Sequence, residues 1–405
     1  MSVTTILNAA ILDSENAPGL RDIFTSEGRI AEILPAGSKK PEGTVHDAEG
    51  RWAAPGYIDI HTHGGNGADI MDASPAALAR VAEFHLSHGT TSFLATTLTA
   101  PFPAMQAAID ALRAYRSAEG REDGRYSLGV EAGRGNGARV VGIHMEGPFL
   151  SAANAGAQDR ASLRGLDKAG LAFVLANADQ VKRITLAPEL ASAPGFIRRL
   201  KAAGIGVSAG HDAAIDEEIE AAIVAGLDCV THIYCCSSGI SRREGPRKHL
   251  GLTEIGMSDD RLSVEVIADR RHTPDPLFSL IWKAKGRERI CLVSDSIRIA
   301  GMPDGEYRLE NLGSGGTIEK RGDEASIPSL GVYAGSVSPL AKMVSNIVGH
   351  NWITLKDAVY MATAVPARIA GLDDRGSLAV GRLADMNILD AQGQVLATFL
   401  GGEKV

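Results

Sequence analysis

Cysteine is scarce in this chain. There are four in 405 residues, two of them adjacent at Cys235 and Cys236, which excludes the disulfide framework of a small secreted domain. Long apolar runs are missing too: nothing approaches the eighteen consecutive apolar residues of a membrane-spanning helix. Positive charge is in deficit, with 41 Lys and Arg against 49 Asp and Glu, a net charge of −8. That argues against a general nucleic-acid surface, although a local basic loop can still bind an anionic small molecule. The stretch Met1 to Leu12 has neither a basic start nor a small-residue cleavage site, so no signal peptide is expected and the cytoplasm is the expected compartment. Fixed-period repeats and low-complexity tracts are absent. What is left is an ordinary composition, 44% hydrophobic and 22% charged, on a chain long enough for a large core.

The first fifty residues read as short strands, Thr4–Leu7, Asp22–Thr25 and Arg29–Leu34, broken by Gly28, Pro35 and Gly37. From Pro55 the texture changes to alternating apolar strands and amphipathic helices. Eight strands are predicted: Tyr57–His61, Thr91–Leu98, Arg139–Met145, Val181–Ala187, Gly206–Ala209, Asp228–Ile233, Leu262–Ala268 and Arg289–Ser294. Ser74–Pro75 is an N-cap followed by proline at the first helical position, and that helix stops at Gly89. A second helix covers Ile215–Ala225; the stretch between strands six and seven reads as irregular. The expected fold is α/β, a (β/α)₈ barrel over residues 55–374. An open doubly wound sheet is the alternative, weakened because no Gly-rich phosphate fingerprint follows the first strand. A Gly-rich stretch, Gly301 to Gly335, precedes two helices near Pro339–Val348 and Thr354–Ala364. Ala384–Leu389 and Val395–Leu400 then return to strand, so residues 1–54 and 375–405 are expected to form one small β-sandwich-like domain.

The chemistry lies at the predicted strand ends. His61 and His63 are two apart on the first strand and so point to one side. Alone, such a pair is as easily structural as functional. Glu146 ends strand three, His211 strand five, His232 lies at the end of strand six, and Asp295 ends strand eight. Barrel active sites form at that face, so these residues are read as a metal site. Imidazole and carboxylate suit zinc, with iron or manganese as alternatives, and the lack of cysteine ligands argues against a closed structural zinc site. Such an ion brings the ionisation of water toward pH 7 and polarises a carbonyl. Asp295 would then pass a proton from water to the leaving nitrogen; its plainer reading is a helix N-cap. His272, three residues past Asp269, faces the same mouth unless it is an ordinary loop histidine. His85, His88 and His350 read as structural, His144 likewise, and His46 and His249 as loop residues. Cys235 and Cys236 are read as pocket lining rather than ligands. Arg242, Arg243, Arg247 and Lys248, with Arg270 and Arg271, are either solvated surface or a site for phosphate or carboxylate.

At this point the motifs resemble a family. Pro55-Gly-Tyr-Ile-Asp-Ile-His-Thr-His-Gly64, Gly89-Thr-Thr-Ser-Phe93, Gly142-Ile-His-Met-Glu-Gly-Pro-Phe149, Leu186-Ala-Pro-Glu189, Gly210-His211, Thr231-His232, Leu292-Val-Ser-Asp295, Ala334-Gly-Ser336, Pro366-Ala367 and Gly381-Arg-Leu-Ala-Asp385 are similar to N-acetylglucosamine-6-phosphate deacetylases of the amidohydrolase superfamily. The resemblance implies a barrel with a β domain built from both termini, and a homodimer. It implies a principal metal on Glu146, His211 and His232; some members add a histidine pair like His61 and His63 for a second metal and others use one, so one or two ions per chain are expected. It also implies Asp295 as catalytic aspartate, His272 as a substrate contact and Arg243 as a phosphate ligand. Three sites, four residues in all, depart from the family. Cys235-Cys236 replaces an Asn-Ala pair that helps hold phosphate, and Gln158 replaces a histidine thought to help polarise the amide carbonyl. Arg270 replaces the glycine after the strand-seven aspartate. Gln158 can still donate one N–H to an oxyanion, without positive charge.

The expected activity is therefore hydrolysis of the N-acetyl amide of an anionic amino sugar, with N-acetylglucosamine 6-phosphate the leading substrate. A cyclic-amide hydrolase of the dihydroorotase or hydantoinase kind would use a carboxylated lysine at the end of strand four. Here that end is Leu186-Ala-Pro-Glu189, and Lys182 lies at the start. A catalytically silent, sugar-sensing descendant would show lost ligands, and none is lost.

Overall fold

The computed structural model of the chain describes residues 3–12, 19–118, 137–242, 245–308, 316–350 and 353–405. Eight parallel strands pair in sequence order: Tyr57–Thr62, Thr90–Thr97, Arg139–Glu146, Val181–Leu186, Gly206–Ala209, Cys229–Val230, Ser263–Val266 and Ile290–Leu292. The first four are almost wholly buried along their length, as parallel strands covered by helices require. The barrel closes through a parallel bridge from Thr62 to Ser296, supported by Asp295 N–H to the His61 carbonyl at 2.9 Å and His63 N–H to the Ser296 carbonyl at 2.8 Å. Strands one and eight are thus stitched together at the end where His61, His63 and Asp295 stand.

Helices Pro75–Ser87, Phe102–Ala118, Lys168–Ala176, Ala193–Ala202, Asp216–Ala225, Leu252–Ser258 and Asp275–Arg289 alternate with these strands. Ser74 caps the first as its sequence predicts, its hydroxyl accepting the Ala77 N–H at 3.2 Å. Leu252–Ser258 corrects the irregular reading between strands six and seven. It is one turn past nucleation, buries Leu252 and Gly256, and is too short for periodicity to reveal. Strand six is shorter than expected, because the backbone leaves the ladder before His232, whose φ is +25°.

A separate mixed sheet joins strands from both ends of the chain: Val3–Ile11, Leu20–Ser26, Arg29–Pro35, Thr44–Asp47 and Trp52–Pro55 with Met386–Leu389, Val395–Leu400 and Glu403–Lys404. It has its own apolar cluster, including Ile6, Ile23, Ile30, Leu378, Met386 and Phe399. The Gly-rich stretch after strand eight holds a structure that the glycines disguise. Four antiparallel strands, Gly305–Arg308, Thr317–Arg321, Glu324–Ile327 and Val332–Tyr333, form a flap. Its apolar side (Ile318, Ala325 and Ile327) packs with Ile297, Ile299 and Phe84, which sets the flap over the barrel mouth.

Candidate metal centre and active site

Glu146, the last residue of strand three, stands at the centre of the mouth and is 2% exposed. Four imidazole Nε2 atoms surround its carboxylate. Oε1 lies 2.9 Å from His232, 3.1 Å from His211 and 3.5 Å from His61, and Oε2 lies 3.3 Å from His63. Asp295 Oδ1 is 3.2 Å from His63 Nε2 and 3.7 Å from His61 Nε2. Every residue assigned to the metal from sequence alone is therefore in one cluster. His211, His232 and Asp295 all have left-handed backbones, with φ of +49°, +25° and +47°. Such conformations are uncommon for residues with a Cβ and collect at functional sites.

The opposite ring nitrogens fix the tautomers. His61 Nδ1–H donates to Glu265 Oε2 at 2.9 Å, His63 Nδ1–H to the Thr96 carbonyl at 3.2 Å, and His211 Nδ1–H to the Asn154 carbonyl at 3.0 Å. Each leaves an Nε2 lone pair aimed at the centre, the arrangement in which an outer partner orients a metal-binding imidazole. His61 Nε2 is buried without a hydrogen-bond partner. Burial alone would push the Glu146 carboxyl up, but His61, His211 and His232 outweigh it and hold it well below the usual carboxylate range. Burial disfavours charge on His63, yet Asp295 and Glu146 raise its pKa to about 9. The potential here favours a cation, and the donor set fits a divalent one: His61, His63 and Glu146 form one group, and Glu146, His211 and His232 another.

A cavity of about 590 Å³ opens above the cluster. His63, Glu146, Gln158, His211, His232, Cys235, Cys236, His272 and Asp295 all line it, as do Val332 and Tyr333 from the flap. Gln158 is held at both ends: Nε2 donates to Glu146 Oε2 at 2.6 Å and Oε1 accepts the Thr99 N–H at 2.8 Å. His272 Nδ1 bonds to Asp269 Oδ2 at 2.7 Å, and its ring lies 5.0 Å from that of Tyr333. Gly156 has φ of +58°, and a Cβ there would come within 2.7 Å of Cys236 Sγ, so the Gly-Ala-Gln run threads tightly between the thiol and His211.

Other sequence candidates are placed elsewhere. Arg270 turns away from the cavity, with Nε on Asp275 at 3.1 Å and Nη2 on the Asn346 carbonyl at 2.8 Å; a substrate contact is not built there. Its φ of +66° lies in the left-handed region that glycine adopts without strain. Arg271 pairs with Glu324 of the flap at 3.0 Å, and Arg247 pairs with Glu217 at 2.6 Å. Arg243 lies outside the described residues. His144 is structural: its Nδ1–H donates to the Ile60 carbonyl at 2.9 Å, and Nε2 accepts from the Thr185 hydroxyl at 2.8 Å. Lys182 stands at the start of strand four, away from the mouth. Among the described residues, no helix is long and apolar enough to cross a membrane.

The sequence reading passes over Glu265, Asn154 and the flap residues Val332 and Tyr333. Glu265 alone left a signal, a single charge within the apolar run Leu262–Ala268. Asn154 acts through its backbone, which no side-chain pattern reports.

Comparison with known proteins agrees with this geometry. The model of the amidohydrolase family matches residues 52–405. The chain is 33% identical to an N-acetylgalactosamine-6-phosphate deacetylase of Escherichia coli O157:H7, over 95% of this chain and 97% of that one. It is 32% identical to an N-acetylglucosamine-6-phosphate deacetylase of Vibrio furnissii, over 87% and 82%. The crystal structure of N-acetylglucosamine-6-phosphate deacetylase from Pasteurella multocida superposes with a TM-score of 0.87 at 26% identity, covering 100% of this chain and 99% of that one. A mouth of converging imidazoles on a matching barrel, with relatives aligned along nearly its whole length, places this chain in the amidohydrolase family.

Proposed function

We propose that the protein hydrolyses the N-acetyl amide of an amino sugar, N-acetylglucosamine 6-phosphate or a closely related anionic sugar, releasing acetate and the free amine. The observation that carries this reading is the convergence of four imidazole Nε2 atoms on Glu146 with Asp295 in the same mouth. Relatives named for deacetylation of amino sugar 6-phosphates supply the substrate class.

Glu146, His211 and His232 would hold one divalent ion, and His61 and His63 a second, with Glu146 between them and Asp295 alongside. Zinc is the ion we favour, with iron or manganese as alternatives. When bound, it supplies Lewis acidity toward water and toward the amide carbonyl. The remaining work falls to the chain. Burial would raise the Asp295 carboxyl, but its hydrogen bond to His63 and the nearby imidazoles keep it low, so it starts as a base. It takes a proton from the attacking water and returns it to the amine nitrogen as the C–N bond breaks. Gln158, whose amide is already fixed, offers its remaining N–H to the oxyanion. Burial opposes charge on His272, yet Asp269 raises its pKa, so its Nε2–H serves as a donor to a substrate oxygen. Cys235 and Cys236 shape the wall, and Arg243 binds the phosphate.

We further assign residues 1–54 and 375–405 to one β domain and residues 55–374 to the catalytic barrel, and expect a cytoplasmic homodimer. A deacetylation screen tests the function. It compares N-acetylglucosamine 6-phosphate, N-acetylgalactosamine 6-phosphate, their unphosphorylated forms and N-acetylated amino acids. Acetate release from a phosphorylated sugar supports the reading; release only from amino acids overturns it. Arg243→Ala should raise KM mainly for phosphorylated substrates, and an equal rise for neutral ones removes that role.

A further inference from the structure

Glu265 is a carboxylate in the barrel interior with 0% exposure. A buried charge is costly unless it is paired and hydrogen-bonded. Its Oε2 accepts the His61 Nδ1–H at 2.9 Å and lies 3.4 Å from the His232 backbone N–H, whereas Oε1 has no partner. The other three imidazoles are treated differently. His63 and His211 each donate Nδ1–H to a neutral backbone carbonyl, and His232 Nδ1 has no hydrogen-bond partner. His61 alone is backed by an anion. A carboxylate behind an imidazole fixes its tautomer and makes the opposite nitrogen a stronger donor.

Charge points the same way. Glu146, Asp295 and Glu265 bring three negative charges, and the four imidazoles bring none when neutral. One divalent ion leaves the cluster at minus one, while a second takes it to plus one, a state that a hydroxide or a substrate anion can balance. Without Glu265 the same two ions would face two carboxylates only.

We propose that Glu265 is the positioning residue that makes this a two-ion centre, by orienting His61 and supplying the charge that holds the ion on His61 and His63. This rests on the metal reading above but not on the substrate. Removing the charge leaves the Glu146, His211 and His232 ion in place and selectively weakens the other.

The test measures metal without substrate. Metal-stripped protein is titrated with Zn²⁺ against a chromophoric chelator, and metal content is read after dialysis of the loaded enzyme. Wild type is expected to hold two ions per chain. Glu265→Gln, similar in size and still able to accept the His61 N–H, should weaken one ion by about 10–100-fold and leave the other unchanged. With Mn²⁺, the spin-coupled spectrum of a paired site should give way to that of an isolated ion. Glu265→Asp keeps the charge but falls a methylene short, so it should weaken the same ion less; it carries the test should Glu265→Gln fail to fold. A wild type that takes one ion, a Glu265→Gln protein with both affinities intact, or an equal loss at both ions overturns the proposal. Failure of the sugar screen would leave these results standing, and their failure would leave the proposed reaction standing.

Discussion

The side-chain nitrogen of Gln158 donates to Glu146 Oε2 at 2.6 Å, while its amide oxygen accepts the Thr99 N–H at 2.8 Å. This double tie decides which way the amide faces, because a flipped amide would set oxygen against carboxylate. Gln158→Ala strips partners from two buried groups at once. If the remaining N–H also serves the oxyanion, kcat should fall about 10²- to 10³-fold at saturating metal, with metal content retained. Steady-state kinetics and metal analysis on the same sample settle the point. Activity lost only in proportion to metal would assign Gln158 to holding Glu146 and nothing more.

Asp295 contributes its backbone and its carboxylate separately. The backbone closes the barrel, with Asp295 N–H on the His61 carbonyl at 2.9 Å and Ser336 N–H on the Asp295 carbonyl at 2.8 Å. Asp295→Asn keeps both of these bonds and removes the base. It should lower kcat about 10²- to 10⁴-fold, leave the thermal midpoint within a few degrees of wild type, and change KM little. A large KM change with kcat preserved would remove Asp295 from proton transfer.

The barrel was legible because apolar segments alternate with amphipathic helices along the chain, and because the segment ends carry the imidazole and carboxylate cluster. His61, His63, Glu146, His211, His232 and Asp295 announce themselves by side-chain type and place. Other features are written in the backbone. The left-handed φ values at His211, His232 and Asp295, and the Asn154 carbonyl behind His211, leave no compositional trace. The flap was hidden for a related reason. Glycine-rich turns between strands of two to five residues look like irregular chain, because such strands are too short for alternation to register. Arg270 misled because its charge type fits an anion, whereas Asp275 and the Asn346 carbonyl hold it elsewhere.

His85 makes stability depend on pH. It is fully buried in the first helix, with Nε2 3.0 Å from the Thr62 hydroxyl and 3.3 Å from the Gly64 carbonyl. Burial lowers its pKa from 6.5 to about 3. Between those values the unfolded chain binds a proton that the native protein refuses. The stabilisation is therefore fully present above pH 6.5 and is lost as pH falls toward 3, at up to about 1.4 kcal/mol per unit. Denaturant unfolding of wild type and His85→Gln at pH 7 and pH 5 checks this. The penalty of the substitution should shrink by about 2 kcal/mol at the lower pH. A penalty independent of pH would mean that His85 takes up its proton as readily in the native state as in the unfolded chain.

At the opposite end of the third strand, Arg139 meets Asp385 in a bidentate pair, with Nε to Oδ2 at 2.8 Å and Nη2 to Oδ1 at 3.0 Å. Asp385 Oδ1 also accepts the Gly401 N–H at 2.7 Å, and its carbonyl accepts the Gly56 N–H at 2.9 Å. One side chain thus ties the barrel floor to the terminal sheet. Both partners are nearly buried, so removing Asp385 takes the bidentate partner from a buried guanidinium. Asp385→Ala should cost about 3–5 kcal/mol, whereas replacing both partners with apolar residues of similar volume should recover much of that loss. Glu146 is seven residues along the same strand, roughly 23 Å away at the usual rise. The folded fraction of Asp385→Ala should therefore keep kcat/KM within about twofold of wild type and an unchanged metal content. Loss of metal together with stability would mean that the terminal sheet supports the site directly, through the strand that both ends share.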